Sequence, residues 1–151
     1  MKKRKLEFEL VPSGCWGLSL AKIFPKKLWN VIRKYAIEKS QNKCSICGAN
    51  SKVLHAHERW SYNLEKGVQK LEDVIAVCPL CHSAIHINRT FLTGNLFKAE
   101  EQYMKVNGVS YAQMKQDLKQ ANELNEKRSQ ASFISQDFTW LRKFDEENGN
   151  N

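Results

Sequence analysis

The chain lacks the features of a membrane or exported protein. No apolar run approaches the roughly 18 residues that a membrane span requires. The basic N-terminus M-K-K-R-K leads into L-E-F-E-L and not into the apolar core of a signal peptide. We therefore expect no membrane partner and a reducing cytoplasm. In that compartment close cysteine pairs are more often metal ligands or redox motifs than structural disulfides.

Repeats and long linkers are also missing, and acidic residues are few in the first third. Residues 1–50 hold 11 Lys/Arg against 3 Asp/Glu, whereas the remainder of the chain is neutral overall. This asymmetry is typical of a protein with a polyanionic partner, nucleic acid first, and the alternative is a solubilising basic tail with a solvated helix face. The candidate phosphate contacts are cations of a helix predicted to open at Pro25 and one near the histidines: Lys26, Lys27, Arg33, Lys34 and Arg59.

Cysteine and histidine are scarce but concentrated. Four of the five cysteines and all four histidines lie between Cys44 and His86. The cysteines form two C-x-x-C pairs, and each pair can supply two adjacent vertices of a tetrahedral zinc site. Cys44, Cys47, Cys78 and Cys81 therefore predict a structural Zn²⁺ site with no open position for chemistry. No βαβ pattern surrounds either pair, which argues against a thioredoxin-like redox motif.

The apolar pattern predicts an α+β fold. Short strands at Val53–Leu54 and Val74–Val77, joined by a loop over 61–73, lead into a helix from Pro79. Two further helices follow, one ending at Asn107-Gly108 and one opening with Ser110 and Gln113 as a capping box. Residues 133–141 predict a closing strand or an extended arm. The organisation is a basic arm and helix (1–43), a zinc-stapled core (44–90), a helical extension (91–144) and a disordered tail (145–151).

The histidines predict a second metal site. His82 and His86 have i, i+4 spacing and so share one face of the helix after Pro79. His57 ends a strand that should lie beside this helix and could supply a third ligand. His55 either shares the face of His57 or caps the loop. Three imidazoles favour Zn²⁺, Ni²⁺ or Mn²⁺, and Mg²⁺ becomes usable if Asp73 or a phosphate completes the shell.

The segment from Cys44 to His86 resembles an HNH endonuclease of the zinc-stapled type. The resemblance rests on the motifs H-E-R-W, V-Q-K-L and C-P-L-C-H-S-A-I-H, and on the later V-N-G. The resemblance implies a ββα-metal finger flanked by helices, in small proteins of bacteria and phages that hydrolyse phosphodiester bonds in double-stranded DNA. It makes His57, His82 and His86 ligands of the catalytic metal. Glu58 falls where the family has its general-base histidine, and Asp73 falls where it has its middle asparagine. A single finger would nick one strand, and a double-strand break would require two fingers or a dimer.

Glu58 and Asp73 depart from the family pattern, and these departures leave alternatives open. A second register makes His57 the base and His55 a ligand. Glu58 could instead orient a ligand imidazole, and Asp73 could cap a turn or orient the base. A non-catalytic zinc module that binds nucleic acid is the alternative function, since the histidine base and the asparagine are both replaced. The last alternative is a protein-interaction adaptor that zinc holds together. The excess of cations in residues 1–50 argues against it.

Overall fold

Strands and helices follow one another in the α+β order that the sequence predicts. The computed structural model describes residues 2–145, so the predicted disordered tail lies outside the described residues except for Asp145. The strands are β1 (His55–Asn63), β2 (Val68–Val77) and β3 (Ser135–Asp137). The helices are α1 (Leu20–Ile23), α2 (Lys26–Lys39), α3 (Pro79–Ile85), α4 (Ile87–Thr93), α5 (Leu96–Asn107) and α6 (Tyr111–Ser129), with short 3-10 helices at Ser13–Cys15 and Thr139–Phe144. No helix among residues 2–145 is long and apolar enough to cross a membrane.

The three strands form one sheet in the order β1-β2-β3, with β2 antiparallel to β1 and parallel to β3. The first strand was predicted at Val53–Leu54, but β1 begins after these residues, at His55. The β1–β2 hairpin is also longer than predicted, because most of the expected loop over 61–73 belongs to the two strands. Buried Gln69 and Leu71 alternate there with exposed Lys70 and Glu72. Such alternation is the pattern of a strand with one solvated face. The polar residues on that face are the reason that the sequence predicts a loop here.

The helix boundaries agree with their local signals. Gly108 follows α5 in the left-handed region, with φ 62°, a conformation that stops a helix at little strain. The Ser110 hydroxyl accepts a hydrogen bond from the Gln113 N–H at 3.1 Å and so caps α6. The closing strand predicted within 133–141 is β3, which is confined to three residues.

Strand alternation decides which β1 side chains reach α3. His55 and His57 point toward α3, where their rings contact His82. Glu58, the next residue, extends toward α1, because its carboxylate bonds the Leu20 N–H. Successive side chains of a strand leave opposite faces of the sheet, so neighbours in the sequence serve different surroundings here. Hydrophobic residues of β2, α3 and α5 fill the core below, including Val77, Ile85 and Ala99.

Candidate metal centres

The two C-x-x-C pairs meet at the junction of a tight turn, the end of β2 and the start of α3. The turn over 43–50 closes through two backbone hydrogen bonds, Cys44 N–H to Ala49 O at 3.0 Å and Gly48 N–H to Cys44 O at 2.9 Å. Cys78 caps α3, and its sulfur accepts the Cys81 N–H at 3.4 Å. The four sulfurs lie within 4.8 Å of one another, as the sequence predicted.

The sulfur distances and charges fit a tetrahedral ion. Zn–S bonds of about 2.3 Å place tetrahedral sulfurs about 3.8 Å apart, and the Sγ atoms of Cys47 and Cys78 are 3.9 Å apart. A hydrogen bond shared between Cys44 and Cys81 lowers the pKa of the Cys44 thiol and raises that of Cys81. Gln102 of α5 donates to the Cys81 sulfur at 3.3 Å. Of the four thiols, Cys44 is thereby favoured as a thiolate, the form that binds metal, while burial raises the pKa of Cys78.

Three imidazoles converge at the other end of α3. His57 comes from β1, His82 from the middle of α3 and His86 from the residue that ends this helix, with φ −100° and ψ 50°. Their donor nitrogens lie within 4.8 Å of one another. The ring centroids of His82 and His86 are 4.9 Å apart, and those of His57 and His86 are 5.1 Å apart. The predicted ligand set is thus assembled, although His86 lies at the break between α3 and α4 and not within a continuous helix.

Burial keeps two of these imidazoles neutral. Desolvation, with smaller contributions from the neighbouring imidazoles, lowers the pKa of His82 to about 3 and that of His86 to about 4. His57 is 4% exposed. A neutral imidazole is the form that coordinates a cation, so His82 and His86 are ready to bind one near neutral pH.

The triad has two polar neighbours. The Nδ1 atoms of His55 and His82 are 2.9 Å apart, which makes one nitrogen the donor and the other the acceptor. Glu9, from the N-terminal segment, lies with Oε2 3.1 Å from Nε2 of His57. The sequence predicts His55 near the site but no role for Glu9. Spacing offers no signal for Glu9, because 48 residues separate it from His57.

Glu58 lines the same cavity as the imidazoles, but its carboxylate is bonded to other groups. One oxygen accepts the Leu20 N–H at 2.7 Å, and the other accepts the indole N–H of Trp60 at 3.1 Å. Burial raises the pKa of Glu58, which is the direction that a carboxylate base requires. Both oxygens are nevertheless held by fixed donors, and Glu58 is not among the residues whose donor atoms converge. This bonding favours a role in joining β1 to α1 and gives no support to the orienting of an imidazole.

Asp73 is not among the residues whose ligand atoms converge at the triad. Asp73 lies on β2 opposite Arg59, and its carboxylate accepts the Val74 N–H at 2.8 Å. The Arg59 guanidinium turns toward Glu9, with Nε 3.7 Å from Oε1. The four predicted contacts on α2 are exposed: Lys26, Lys27, Arg33 and Lys34.

A cavity of about 1100 Å³ contains all three imidazoles of the triad in its lining. None of the four predicted contacts on α2 lines this cavity among the described residues. Six other cations do: Lys2, Lys3, Arg4, Lys22, Arg89 and Arg128. Arg4 is paired with Asp117 at 2.9 Å, and Arg128 covers the ring of Tyr62 at 4.9 Å. The other four cations are exposed and make no ion pair within residues 2–145, which leaves them available to an anionic ligand.

Comparisons with protein-family models, with curated proteins and with solved structures found no match to this chain.

Proposed function

We propose that the chain is a metal-dependent endonuclease of the HNH type that hydrolyses phosphodiester bonds in double-stranded DNA. The observation that carries the proposal is the convergence of His57, His82 and His86 in a cavity lined by unpaired cations. A structural zinc site alone does not require three further imidazoles. A divalent cation bound there would stabilise negative charge on a scissile phosphate.

The chain's own residues account for binding and orientation in this proposal. His57, His82 and His86 would hold the cation, and the cysteine cluster fixes α3, which carries one of these imidazoles and ends at another. Arg89, in α4, and Lys22, in α1, would contact phosphates near the triad, since both are exposed and line the cavity. Phosphate contacts of this kind supply affinity and register without reading bases.

Nicking of supercoiled plasmid tests the proposal. The purified protein is assayed in EDTA and then with Mg²⁺, Mn²⁺, Ni²⁺ and Zn²⁺ in turn, beside His82→Ala. We expect metal-dependent nicking that His82→Ala abolishes while the protein keeps its cysteine-bound zinc. Absence of nicking with every metal, from protein that retains that zinc and binds DNA, would refute the nuclease.

Matched arginine variants test where the phosphates bind. Arg89→Ala should weaken binding to plasmid DNA. It should also reduce the slope of log K against log salt concentration by about 0.9, the value for one phosphate contact. Arg33→Ala, an exposed arginine of α2 outside the cavity, is the control and should have a smaller effect. Equal losses in the two variants would favour a diffuse basic surface over a phosphate path through the cavity.

The second candidate is a zinc module that binds nucleic acid without cutting it. It is favoured by the bonding of Glu58, whose two oxygens accept from Leu20 and Trp60 where the HNH pattern would call for a free base. DNA binding that persists without nicking would identify this function.

A further inference from the structure

The N-terminal segment brings a carboxylate to the histidine triad. Leu6 and Leu10 of this segment are buried at 0% and 9% exposure and anchor it to the core. Between them, the Glu9 backbone N–H donates to the Ile85 carbonyl at 3.0 Å, at the last residue of α3. Glu9 is therefore fixed by backbone and side-chain packing beside the helix that ends at His86.

Both oxygens of Glu9 face groups of β1. Oε2 lies 3.1 Å from Nε2 of His57, and Oε1 lies 3.7 Å from Nε of Arg59. The His57 side chain is 4% exposed and the Glu9 side chain 24%. A hydrogen bond to so buried a ring has little competition from water, and the guanidinium offsets the carboxylate charge.

We propose that Glu9 is a positioning residue of the metal centre. It accepts the Nε2–H of His57 and thereby leaves Nδ1 of that ring as the nitrogen that binds the cation. A neutral imidazole carries one N–H, so fixing it on one nitrogen makes the other the ligand. This inference rests on the proposed cation at the triad.

The geometry favours positioning over direct ligation by Glu9. The donor atoms that lie within 4.8 Å of one another belong to His57, His82 and His86, and Glu9 is not among that set. Its contact is to one ring of the three. The N-terminal segment would in this way set the orientation of a ligand on β1, although it contributes no ligand itself.

Metal titration of matched variants tests the role. Protein preloaded with one equivalent of Zn²⁺ at the cysteines is titrated with Ni²⁺ by calorimetry, as wild type, Glu9→Gln, Glu9→Ala and His82→Ala. Loss of an outer partner of a ligand histidine weakens metal affinity by about 10- to 100-fold, and we expect Glu9→Ala near the upper end and Glu9→Gln near the lower. Glu7→Gln, two residues away in the same segment, is the control and should bind Ni²⁺ as wild type does.

Two further readouts separate positioning from support of the fold. The urea midpoint of the preloaded, Ni²⁺-free protein should change little in Glu9→Gln, because that variant keeps the volume and an acceptor oxygen. In wild type loaded with Zn²⁺ at both sites, long-range ¹H–¹⁵N NMR should show a proton on Nε2 of His57 and metal on Nδ1.

The outcomes distinguish the two proposals. Wild-type Ni²⁺ affinity in Glu9→Gln and Glu9→Ala, or metal on Nε2 of His57, would overturn the role of Glu9 and leave the metal centre standing. A weakened Ni²⁺ site matched by an equal loss of metal-free stability would also overturn it, in favour of a structural role. No second ion in wild type would overturn both proposals.

Discussion

Glu58→Gln should destabilise the protein without removing metal from the triad. The carboxylate accepts two hydrogen bonds, from the Leu20 N–H at 2.7 Å and from the Trp60 indole at 3.1 Å. A glutamine can accept from Leu20 with its carbonyl oxygen, but its NH₂ group then faces the indole N–H, so that two donors meet. The variant should keep one bond and lose the other.

The magnitude follows from the lost bond. A hydrogen bond to a charged acceptor contributes about 1.5–3 kcal/mol, and the desolvation of the buried carboxylate offsets part of this, because the neutral amide is less costly to bury. We expect Glu58→Gln to lower the free energy of unfolding by about 1.5 kcal/mol. For a chain of this size that corresponds to a decrease in Tm of roughly 3–6 °C.

Urea unfolding of a double-mutant cycle measures the bond directly. Trp60→Phe removes the indole donor, so Glu58→Gln should destabilise that background by about 1 kcal/mol less than it destabilises wild type. Nicking by Glu58→Gln should persist at temperatures well below its Tm. Unchanged stability together with lost nicking would refute this reasoning and make Glu58 the base.

Two further predictions concern the buried imidazoles and the hairpin turn. Unfolded imidazoles titrate near pH 6.5, whereas burial lowers the pKa of His82 to about 3 and that of His86 to about 4. The unfolded chain therefore binds more protons, so the free energy of unfolding of protein without metal at the triad should fall from pH 7 to 5.5. Urea unfolding measures this decrease, which should be smaller in the variant that carries both His82→Asn and His86→Asn. An equal pH dependence in the two proteins would contradict the prediction. Gly67→Ala should destabilise by about 2 kcal/mol, because φ is +64° and a Cβ would lie 2.5 Å from the Ser132 carbonyl oxygen. Gly17→Ala, at φ +80° with open space, is the control and should cost less in thermal unfolding; equal losses would exclude the clash.

Short-range spacing predicts most of both candidate centres. Each C-x-x-C pair fits one turn, and His82 and His86 lie one helical turn apart, so local geometry brings these side chains together wherever the chain goes next. The cap at Ser110 and the stop at Gly108 are local in the same sense. These parts of the fold could be read from the sequence because few residues determine them.

The surroundings of the triad depend on long-range packing and could not be read in this way. Glu9 reaches His57 because buried leucines hold the N-terminal segment against α3, and the sequence alone gives no pairing between distant segments. The bonding of Glu58 was accessible in part. Adjacent residues of a strand point to opposite faces, so a β1 that extends through both His57 and Glu58 already separates their side chains. The strand was predicted to be too short for this alternation to be applied.

Native mass spectrometry of the wild type and of His86→Ala is the most direct test that the triad is a metal centre. We expect two divalent ions in the wild type after incubation with Zn²⁺, and one ion, at the cysteines, in His86→Ala. A single ion in the wild type, or two ions in both proteins, would contradict a cation held by His57, His82 and His86.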